Sequence, residues 1–317
     1  MNARQVLELR DRVRRQVRGL FDGLGFLEVD TPVLAREVLP EAHIDPVTVR
    51  LEGDSGGERY LQASPEALMK RLLAAGSGPI YQLARSFRAG ERGRQHDLEF
   101  VLLEWYAPGT GLDDAAVVLE RLCATVLGTR GIDRVSCSDA FGAHAGVDPL
   151  EAGAAELEDA VRRAGLELPE SAARLPEAER RDRAFEMLLA EAVQPHLGHG
   201  RPVMLERWPA SQAALARIAA AEPPAALRFE LFCRGVELAN GWEEETRRGP
   251  LETRIEAANS ARVADGRAPL PVPGSLLDCH GAAMPEGVGA ALGFDRLVML
   301  AAGADSIDAV RCFTSES

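Results

Sequence analysis

The stretch Tyr81–Tyr106, YQLARSFRAGERGRQHDLEFVLLEWY, decides the fold. Both of its ends are typical of β-strands, because residues 81–87 alternate apolar and polar side chains and residues 100–106 are rich in aromatic and branched ones. The loop between them holds four potential cations and two glycines: Arg88, Arg92, Arg94, His96, Gly90 and Gly93. Two apolar strands that present cations favour a site for a polyanion, most simply a triphosphate. The alternative is a hairpin with a solvated charged tip.

The composition is that of a globular protein, with 46% apolar and 27% charged residues in a chain of 317. No apolar run reaches the ~20 residues that span a bilayer, and the first residues have no signal-peptide core. Five scattered cysteines without a C-x-x-C pair favour reduced thiols, so we expect a cytoplasmic protein without membrane contact. A formal net charge of −13 disfavours a wide nucleic-acid surface, although local basic patches are compatible with it.

Two further segments accompany the central stretch. Near the N-terminus, residues 6–24 have the apolar spacing of a helix, and the short strand 26–29 follows and ends before Pro32. Near the C-terminus, the stretch Gly287–Leu300 begins with small residues, which let a flat ligand lie on the backbone, and continues as a helix with Arg296 in its first turn. Each segment alone is also compatible with ordinary packing of a helix on a sheet.

Carboxylates occur where a site would need them. Ser64-Pro65-Glu66 begins a helix predicted for residues 65–75, and Glu66 either complements the helix dipole or faces an ammonium group. Glu230 and Glu237 lie in two apolar strands joined by a tight turn. Burial of such carboxylates requires a metal ion or a cation, and the alternative is an exposed sheet edge. We favour the metal or cation.

In this order, the three segments resemble the three motifs of class II aminoacyl-tRNA synthetases, and the detailed match is to lysyl-tRNA synthetase and its shorter relatives. The matching stretches are SPE at 64–66, FR at 87–88, EF at 99–100, LEWY at 103–106, ELANG at 237–241 and LGFDRLVM at 292–299. The resemblance covers nearly the whole chain. It implies an α+β fold with an antiparallel sheet flanked by helices, as one catalytic domain over residues 1–317 with a helical insertion at about 131–227.

Lysyl-tRNA synthetases carry an anticodon-binding domain before the catalytic domain, and here only a few residues precede the first helix. We therefore expect no anticodon binding. The closer resemblance is to the stand-alone lysyl-tRNA synthetase-like enzymes that modify elongation factor P, through residues 208–212, residues 237–241 and Ala291. That family activates (R)-β-lysine with ATP and joins it to a lysine side chain of the factor. A ligase for lysine, another amino acid or another acceptor, and a regulator without catalysis, remain alternatives.

The resemblance also implies ligands for ATP. Arg88 would bind the α-phosphate, His96 and Arg296 would hold the γ-phosphate, and Phe100 with Arg296 would sandwich the adenine. The complete set is Arg88, Ala89, Gly90, His96, Asp97, Phe100, Glu237, Leu238, Gly293 and Arg296, in which Arg88 and Arg296 are the catalytic residues. Two positions depart from the family. Gly90 replaces a glutamate, with Glu91 one place later, and Asp97 replaces an asparagine.

The remaining implications concern the amino acid, the metal and the oligomer. Glu66 and Glu244 would receive the two ammonium groups of a diamino acid, with Tyr106 beside Glu244. Ser64, Pro65, Asn240 and Ala291 complete the expected substrate contacts. Glu230 and Glu237 resemble carboxylates that bind Mg²⁺. Because the first motif commonly forms the dimer interface of the class, we also expect a homodimer.

Overall fold

The structure is a computed structural model that describes residues 1–53, 57–220 and 222–316. The α-helices are α1 (Ala3–Gly23), α2 (Glu66–Ala74), α3 (Leu112–Leu127), α4 (Cys137–Ala145), α5 (Ala154–Arg163), α6 (Glu177–Leu188), α7 (Arg248–Ala264), α8 (Gly274–Leu277) and α9 (Phe294–Ala302). The strands are β1 (Leu27–Glu28), β2 (Leu34–Ala35), β3 (Val47–Val49), β4 (Arg59–Leu61), β5 (Ile80–Phe87), β6 (Glu99–Pro108), β7 (Asp133–Ser136), β8 (Val203–Pro209), β9 (Ile218–Ala219), β10 (Ala225–Cys233), β11 (Val236–Glu243) and β12 (Gly287–Gly293).

The chain folds as two units. The first comprises Met1–Gly111, Thr125–Leu127 and Glu244–Ser317, and the second comprises Leu112–Ala124 and Gly128–Glu243. In the part of the chain that is described, no helix is long and apolar enough to cross a membrane.

The first unit is built on the predicted strand pair. β5 and β6 run antiparallel from Ile80↔Tyr106 to Phe87↔Glu99, so the cationic loop joins their ends as expected. β12 pairs antiparallel with the other edge of β6, and β1 pairs with β5 in parallel, which gives the strand order β1-β5-β6-β12. β2, β4 and β3 form a separate small sheet.

Helix α1 follows its predicted pattern. The six apolar positions that set its period are all buried: Val6, Leu9, Val13, Val17, Leu20 and Phe21. Asn2 and Gln5 form a capping box at its N-terminus, which satisfies backbone N–H groups that would otherwise lack partners. Phe21 stacks on Tyr81 of β5 with ring centroids 4.8 Å apart, so the helix packs on the sheet through its apolar side.

The second unit has the strand order β11-β10-β8-β7, with β9 on β10. The helices α4, α5 and α6 pack through an apolar core in which the rings of Phe141 and Phe185 stack at 4.8 Å and Trp208 packs edge-on against Phe185. The stretch expected as a helical insertion, 131–227, thus contains these helices but also β7, β8, β9 and the start of β10. Of these strands, β7 has only four residues and was not predicted.

The α+β fold with a largely antiparallel sheet and flanking helices is confirmed, and the parallel pairs β1–β5 and β7–β8 make its pairing mixed.

Candidate active site

The strands β5, β6 and β12 place a row of predicted site residues on one face of the sheet. Directly opposite residues of antiparallel strands carry their side chains on the same face. Glu104 of β6 lies between Gln82 and Ala291, and Tyr106 lies between Ile80 and Gly289. Ala291, one of the expected substrate contacts, is thus the cross-strand neighbour of a carboxyl group.

Glu104 is a buried carboxyl group held by two hydroxyls. Tyr106 Oη donates to its Oε1 and Ser64 Oγ donates to its Oε2, both at 2.7 Å. Burial, together with the nearby Glu66 carboxylate, raises the pKa of Glu104 to about 8 despite these hydrogen bonds and the attraction of Lys70. Ser64 and Tyr106 were predicted to contact the substrate, and Glu104, which joins them, was not singled out.

Lys70 is the only lysine of the chain and is 1% exposed. Its Nζ lies 2.5 Å from Glu66 Oε1 and 2.6 Å from Glu244 Oε2. Burial acts to lower the pKa of Lys70, but the two carboxylates outweigh it and raise the pKa above its ordinary value. The two carboxylates expected to receive ammonium groups therefore already bind one ammonium group, which belongs to the protein.

Tyr106 and Glu244 lie close together, as predicted, and Gly289 is the reason. A Cβ added to Gly289 would overlap the ring of Tyr106 and would come within 2.5 Å of Glu244 Oε1. Lys70 Nζ lies 6.0 Å from the centroid of the same ring, at the limit of a cation–π contact. The small residue of β12 thus provides the space that the tyrosine and the glutamate share.

The N-terminus of α2 completes this end of the site. Ser64 Oγ accepts the N–H of Glu66 at 3.0 Å, and Pro65 occupies the N-cap position. Glu66 lies in the first turn, where a carboxylate complements the helix dipole. Both alternatives for Glu66 therefore apply at once, since it also binds Lys70.

Arg88 begins the loop that follows β5. Its Cζ lies 5.2 Å from the ring centroid of Phe100, so the two predicted ATP residues are neighbours. Its buried Nε has no hydrogen-bond partner among the described residues. A buried N–H of a guanidinium without an acceptor fits an anionic oxygen, which is what a phosphate would supply.

Gly90 has a φ of +76°, a left-handed conformation that side chains other than glycine rarely adopt. This turn brings Glu91 back toward Arg88, with Glu91 Oε1 3.7 Å from Arg88 Nη1. The backbone of Gly90 thus returns the next residue, Glu91, to the arginine. Ala89 is held from the other side, since its N–H donates to Asp45 O at 2.8 Å.

The structure also brings His96 and Arg296 together. Arg296 Nη2 lies 2.6 Å from His96 Nε2, and Arg296 Nε donates to Gln95 O at 3.2 Å. A Cβ at Gly293 would come 3.4 Å from the Arg296 side chain, an ordinary van der Waals contact, so the start of α9 packs closely against this arginine. Arg92 of the same loop is exposed and binds Asp308 at 2.8 Å.

Asp97 is buried against the C-terminal segment. Arg311 Nη1 donates to its Oδ2 at 2.8 Å, and the N–H and hydroxyl of Ser315 also donate to it. Burial acts to raise the pKa of Asp97, but the hydrogen bonds from Ser315 and Leu98 and the charge of Arg311 lower it overall. Its carboxylate thus has partners within the protein.

Glu230 in the second unit meets a cation. Arg228 Nη2 lies 2.6 Å from Glu230 Oε1, and the same guanidinium donates to Asn240 Oδ1 at 3.2 Å and stacks 4.1 Å above the Trp208 ring. The buried carboxylate of Glu230 is therefore paired with a cation of the protein, as one of the possibilities left open by the sequence requires. Within residues 1–53, 57–220 and 222–316, no three His, Cys, Asp or Glu side chains are grouped as a metal site requires. The Mg²⁺ role predicted for Glu230 and Glu237 stays a prediction.

Glu237 and Leu238 lie at the start of β11, opposite the end of β10, where Glu237 pairs with Phe232. Leu238 is buried, whereas Glu237 is partly exposed. These two predicted ATP residues and Asn240 belong to the second unit, and the other predicted site residues of the ATP and amino-acid sets belong to the first.

Two residues of the site escaped sequence reasoning, namely Lys70 and Glu104. Lys70 had a usable signal, because it follows Glu66 by four positions, the spacing of an ion pair on a helix. Glu104 had one too, as a lone carboxylate within the apolar strand that ends in Trp105 and Tyr106.

Comparison with known proteins identifies relatives of the whole chain. The model of the tRNA synthetases class II (D, K and N) matches residues 1–317. An elongation factor P–(R)-β-lysine ligase of Salmonella gallinarum is 40% identical over 308 residues, which is 96% of this chain and 93% of the relative. Ligases of the same name from Enterobacter sp. and Salmonella dublin are 39% identical over the same shares.

Proposed function

Because the chain belongs to the class II tRNA synthetase family of the D, K and N type, we propose that it is an ATP-dependent ligase. It activates (R)-β-lysine, or lysine, as an aminoacyl-adenylate and transfers it to a lysine side chain of elongation factor P. The observation that carries this proposal is the excess of carboxyl groups around Lys70. Glu66, Glu104 and Glu244 surround one ammonium group, and a substrate with two further ammonium groups balances them.

The proposed chemistry needs no nucleophile from the protein. A carboxylate oxygen of the amino acid attacks the α-phosphorus of ATP, the bond from that phosphorus to the bridging oxygen breaks, and pyrophosphate leaves. Arg88 lies where it neutralises the charge that develops on the α-phosphate, and its unpartnered buried Nε supports this role. Catalysis in such a step is mostly positioning and charge neutralisation.

In the second step, the acceptor ammonium gives a proton to solvent, and the neutral amine attacks the carbonyl carbon of the adenylate and releases a second proton to solvent. The carbon–oxygen bond of the mixed anhydride breaks, an amide forms and AMP leaves. The face that carries Glu104, Tyr106 and Ala291 would hold the amino-acid part through both steps. The paired Arg296 and His96 would hold the far end of the triphosphate.

Mg²⁺ is expected with ATP, where it would neutralise phosphate charge. Glu230 and Glu237 are the carboxylates proposed to hold it, and Arg228 lies beside Glu230 on the same strand.

We also propose a homodimer through the first motif. Three large apolar side chains in or beside β1 and β2 are exposed, Leu27 at 60% and Val33 and Leu34 at 36% each. Neighbouring exposed apolar residues are typical of a surface that another chain covers. The five free cysteines support a cytoplasmic location.

ATP–pyrophosphate exchange with the enantiomers of β-lysine and lysine tests the first step. We expect stimulation by at least one of these diamino acids, with (R)-β-lysine the strongest. Mass spectrometry of elongation factor P after incubation with enzyme, ATP and substrate tests the second step, and a gain of one β-lysyl group is expected. Exchange without a mass gain would favour another acceptor. ATP binding without exchange would favour a regulator without catalysis.

A further inference from the structure

A small pocket opens beside Glu66 in the first unit. It is lined by Val38, Leu39, Glu41, Gln62, Ala63, Ser64, Glu66 and Ala67. Two of these residues, Ser64 and Glu66, already belong to the candidate site. Glu41 brings a further carboxyl group to the same pocket from the loop between β2 and β3.

The loop that carries Glu41 is held in place by a buried arginine. Arg262, which is 4% exposed, donates to the carbonyl oxygens of Glu41 at 3.3 Å and Ile44 at 2.8 Å and binds Asp45 at 2.8 Å. Asp45 in turn accepts the N–H of Ala89, next to Arg88. Glu41 is thus fixed relative to the arginine that would contact the α-phosphate.

The charges around the Glu41 carboxyl indicate which end of the substrate it faces. The interacting charges are Arg88, Glu66 and Glu91, two of which lie on the loop proposed to bind phosphate. Tyr106 and Glu244 lie together at the Lys70 end of the cluster. A substrate carboxylate that attacks the α-phosphorus must lie beside Arg88, so the amino group nearest that carboxylate comes closest to Glu41 and Glu66.

We propose that Glu41 is a specificity-determining residue whose carboxylate binds the amino group of the substrate nearest the reacting carboxylate. This inference rests on the proposed ligase function and adds a recognition group to it. In a β-amino acid this amino group lies one methylene farther from the carboxylate than in an α-amino acid. A side chain as long as glutamate, held on a fixed loop, selects between those two positions.

The protonation of Glu41 supports this role. Burial raises the pKa of Glu41 to about 7; Arg88 acts to lower it, and Glu66 and Glu91 act to raise it. The carboxyl group therefore gains a proton near neutral pH and gives it up when a cation arrives beside it.

The test compares two substrates on one variant. In pyrophosphate exchange, Glu41→Gln should raise the KM for (R)-β-lysine roughly tenfold to a hundredfold, the effect of losing a hydrogen bond between charged groups. The KM for 6-aminohexanoic acid should stay within about twofold of its value with the unmodified enzyme. This compound has no amino group near its carboxylate, so it makes no contact with Glu41 that the substitution could remove. A merely structural role would raise both KM values.

The control is His43→Gln, an exposed position two residues along the same loop, which should leave both KM values unchanged. If Glu41→Gln does not fold, Glu41→Asp carries the same comparison, because the shorter carboxylate should weaken β-lysine alone. Unchanged KM for β-lysine in a folded variant would overturn the inference. Failure of the unmodified enzyme with every diamino acid would instead overturn the proposed function.

Discussion

Lys70 Nζ binds two carboxylates at once, Glu66 at 2.5 Å and Glu244 at 2.6 Å. Glu66 lies on the same helix as the lysine, whereas Glu244 lies 174 positions later in the chain. The cation fixes two carboxylates that would otherwise repel each other in a buried site. One oxygen of each carboxylate is taken up in this way, so the cluster is organised before any substrate enters. Glu104 remains beside them with its raised pKa.

Replacement of Lys70 should strongly destabilise the protein. Lys70→Met leaves Glu66 and Glu244 buried without their cation, and we expect the free energy of unfolding to fall by about 3–5 kcal/mol at pH 8. Urea denaturation followed by circular dichroism measures this change.

The matched control is Arg50→Met. Arg50 and Glu58 are 2.8 Å apart, but their side chains are 84% and 42% exposed, so the change should be below about 1 kcal/mol. Equal losses for the two variants would contradict the role assigned to Lys70.

Glu104 predicts an unusual dependence of stability on pH. Its pKa in the folded protein, about 8, is above its ordinary value of 4.5. A carboxyl group whose pKa is raised on folding stabilises the folded protein while it is protonated. Its contribution to the free energy of unfolding is therefore complete below its ordinary pKa and is lost as the pH rises through about 8. The melting temperature of the substrate-free protein should therefore fall between pH 6 and pH 9.

Glu104→Gln should flatten this slope and raise the stability at pH 9, because the amide keeps an acceptor for Tyr106 and carries no charge. Its KM for the diamino acid should rise. A slope that persists unchanged in the variant would show that the pH dependence arises elsewhere.

The Gly90–Glu91 pair predicts separate effects on folding and on ATP. Glu91→Gln removes the charge 3.7 Å from Arg88 and should change the KM for ATP more than the KM for β-lysine. Gly90→Ala places a side chain at a φ of +76° and should lower the free energy of unfolding by about 1 kcal/mol. Exchange kinetics and urea denaturation measure the two effects. A Gly90→Ala variant as stable as the parent would contradict the left-handed turn.

Asp97 predicts an effect on the C-terminal segment. Asp97→Asn removes the charged partner of Arg311 and weakens the hydrogen bonds from Ser315, so we expect a loss of about 1–3 kcal/mol in the free energy of unfolding. Limited proteolysis should then remove the C-terminal residues faster. A large change in the KM for ATP with unchanged stability would instead support the direct ATP contact that the sequence predicts.

The sequence predicts the framework of the site well because that framework depends on periodicity. The β5–β6 pair, α1 and the strand–helix unit around Gly293 follow local apolar spacing, and each occurs where expected. Arg296 and His96 come together because β12 and β6 pair, so that the helix after β12 and the loop before β6 meet.

What the sequence did not predict depends on contacts between distant residues. Lys70 lies on the helix that begins with Glu66, but its second partner, Glu244, comes from another part of the chain. The cation that satisfies Glu230 is Arg228, two positions away on the same strand, and alternation alone gave no reason to prefer it over a metal ion. Glu41 depends on a loop that Arg262 holds from a helix more than 200 positions later.

The raised pKa values of Glu41 and Glu104 mean that the candidate site binds protons in the absence of substrate. A diamino acid carries two ammonium groups at neutral pH, and its entry favours the ionised form of both carboxyl groups. Binding of the proposed substrate is then an exchange of ammonium groups for protons, with up to two protons released per protein molecule. The heat of binding should accordingly vary with the ionisation enthalpy of the buffer, and acidification should act as a competitor of the amino acid.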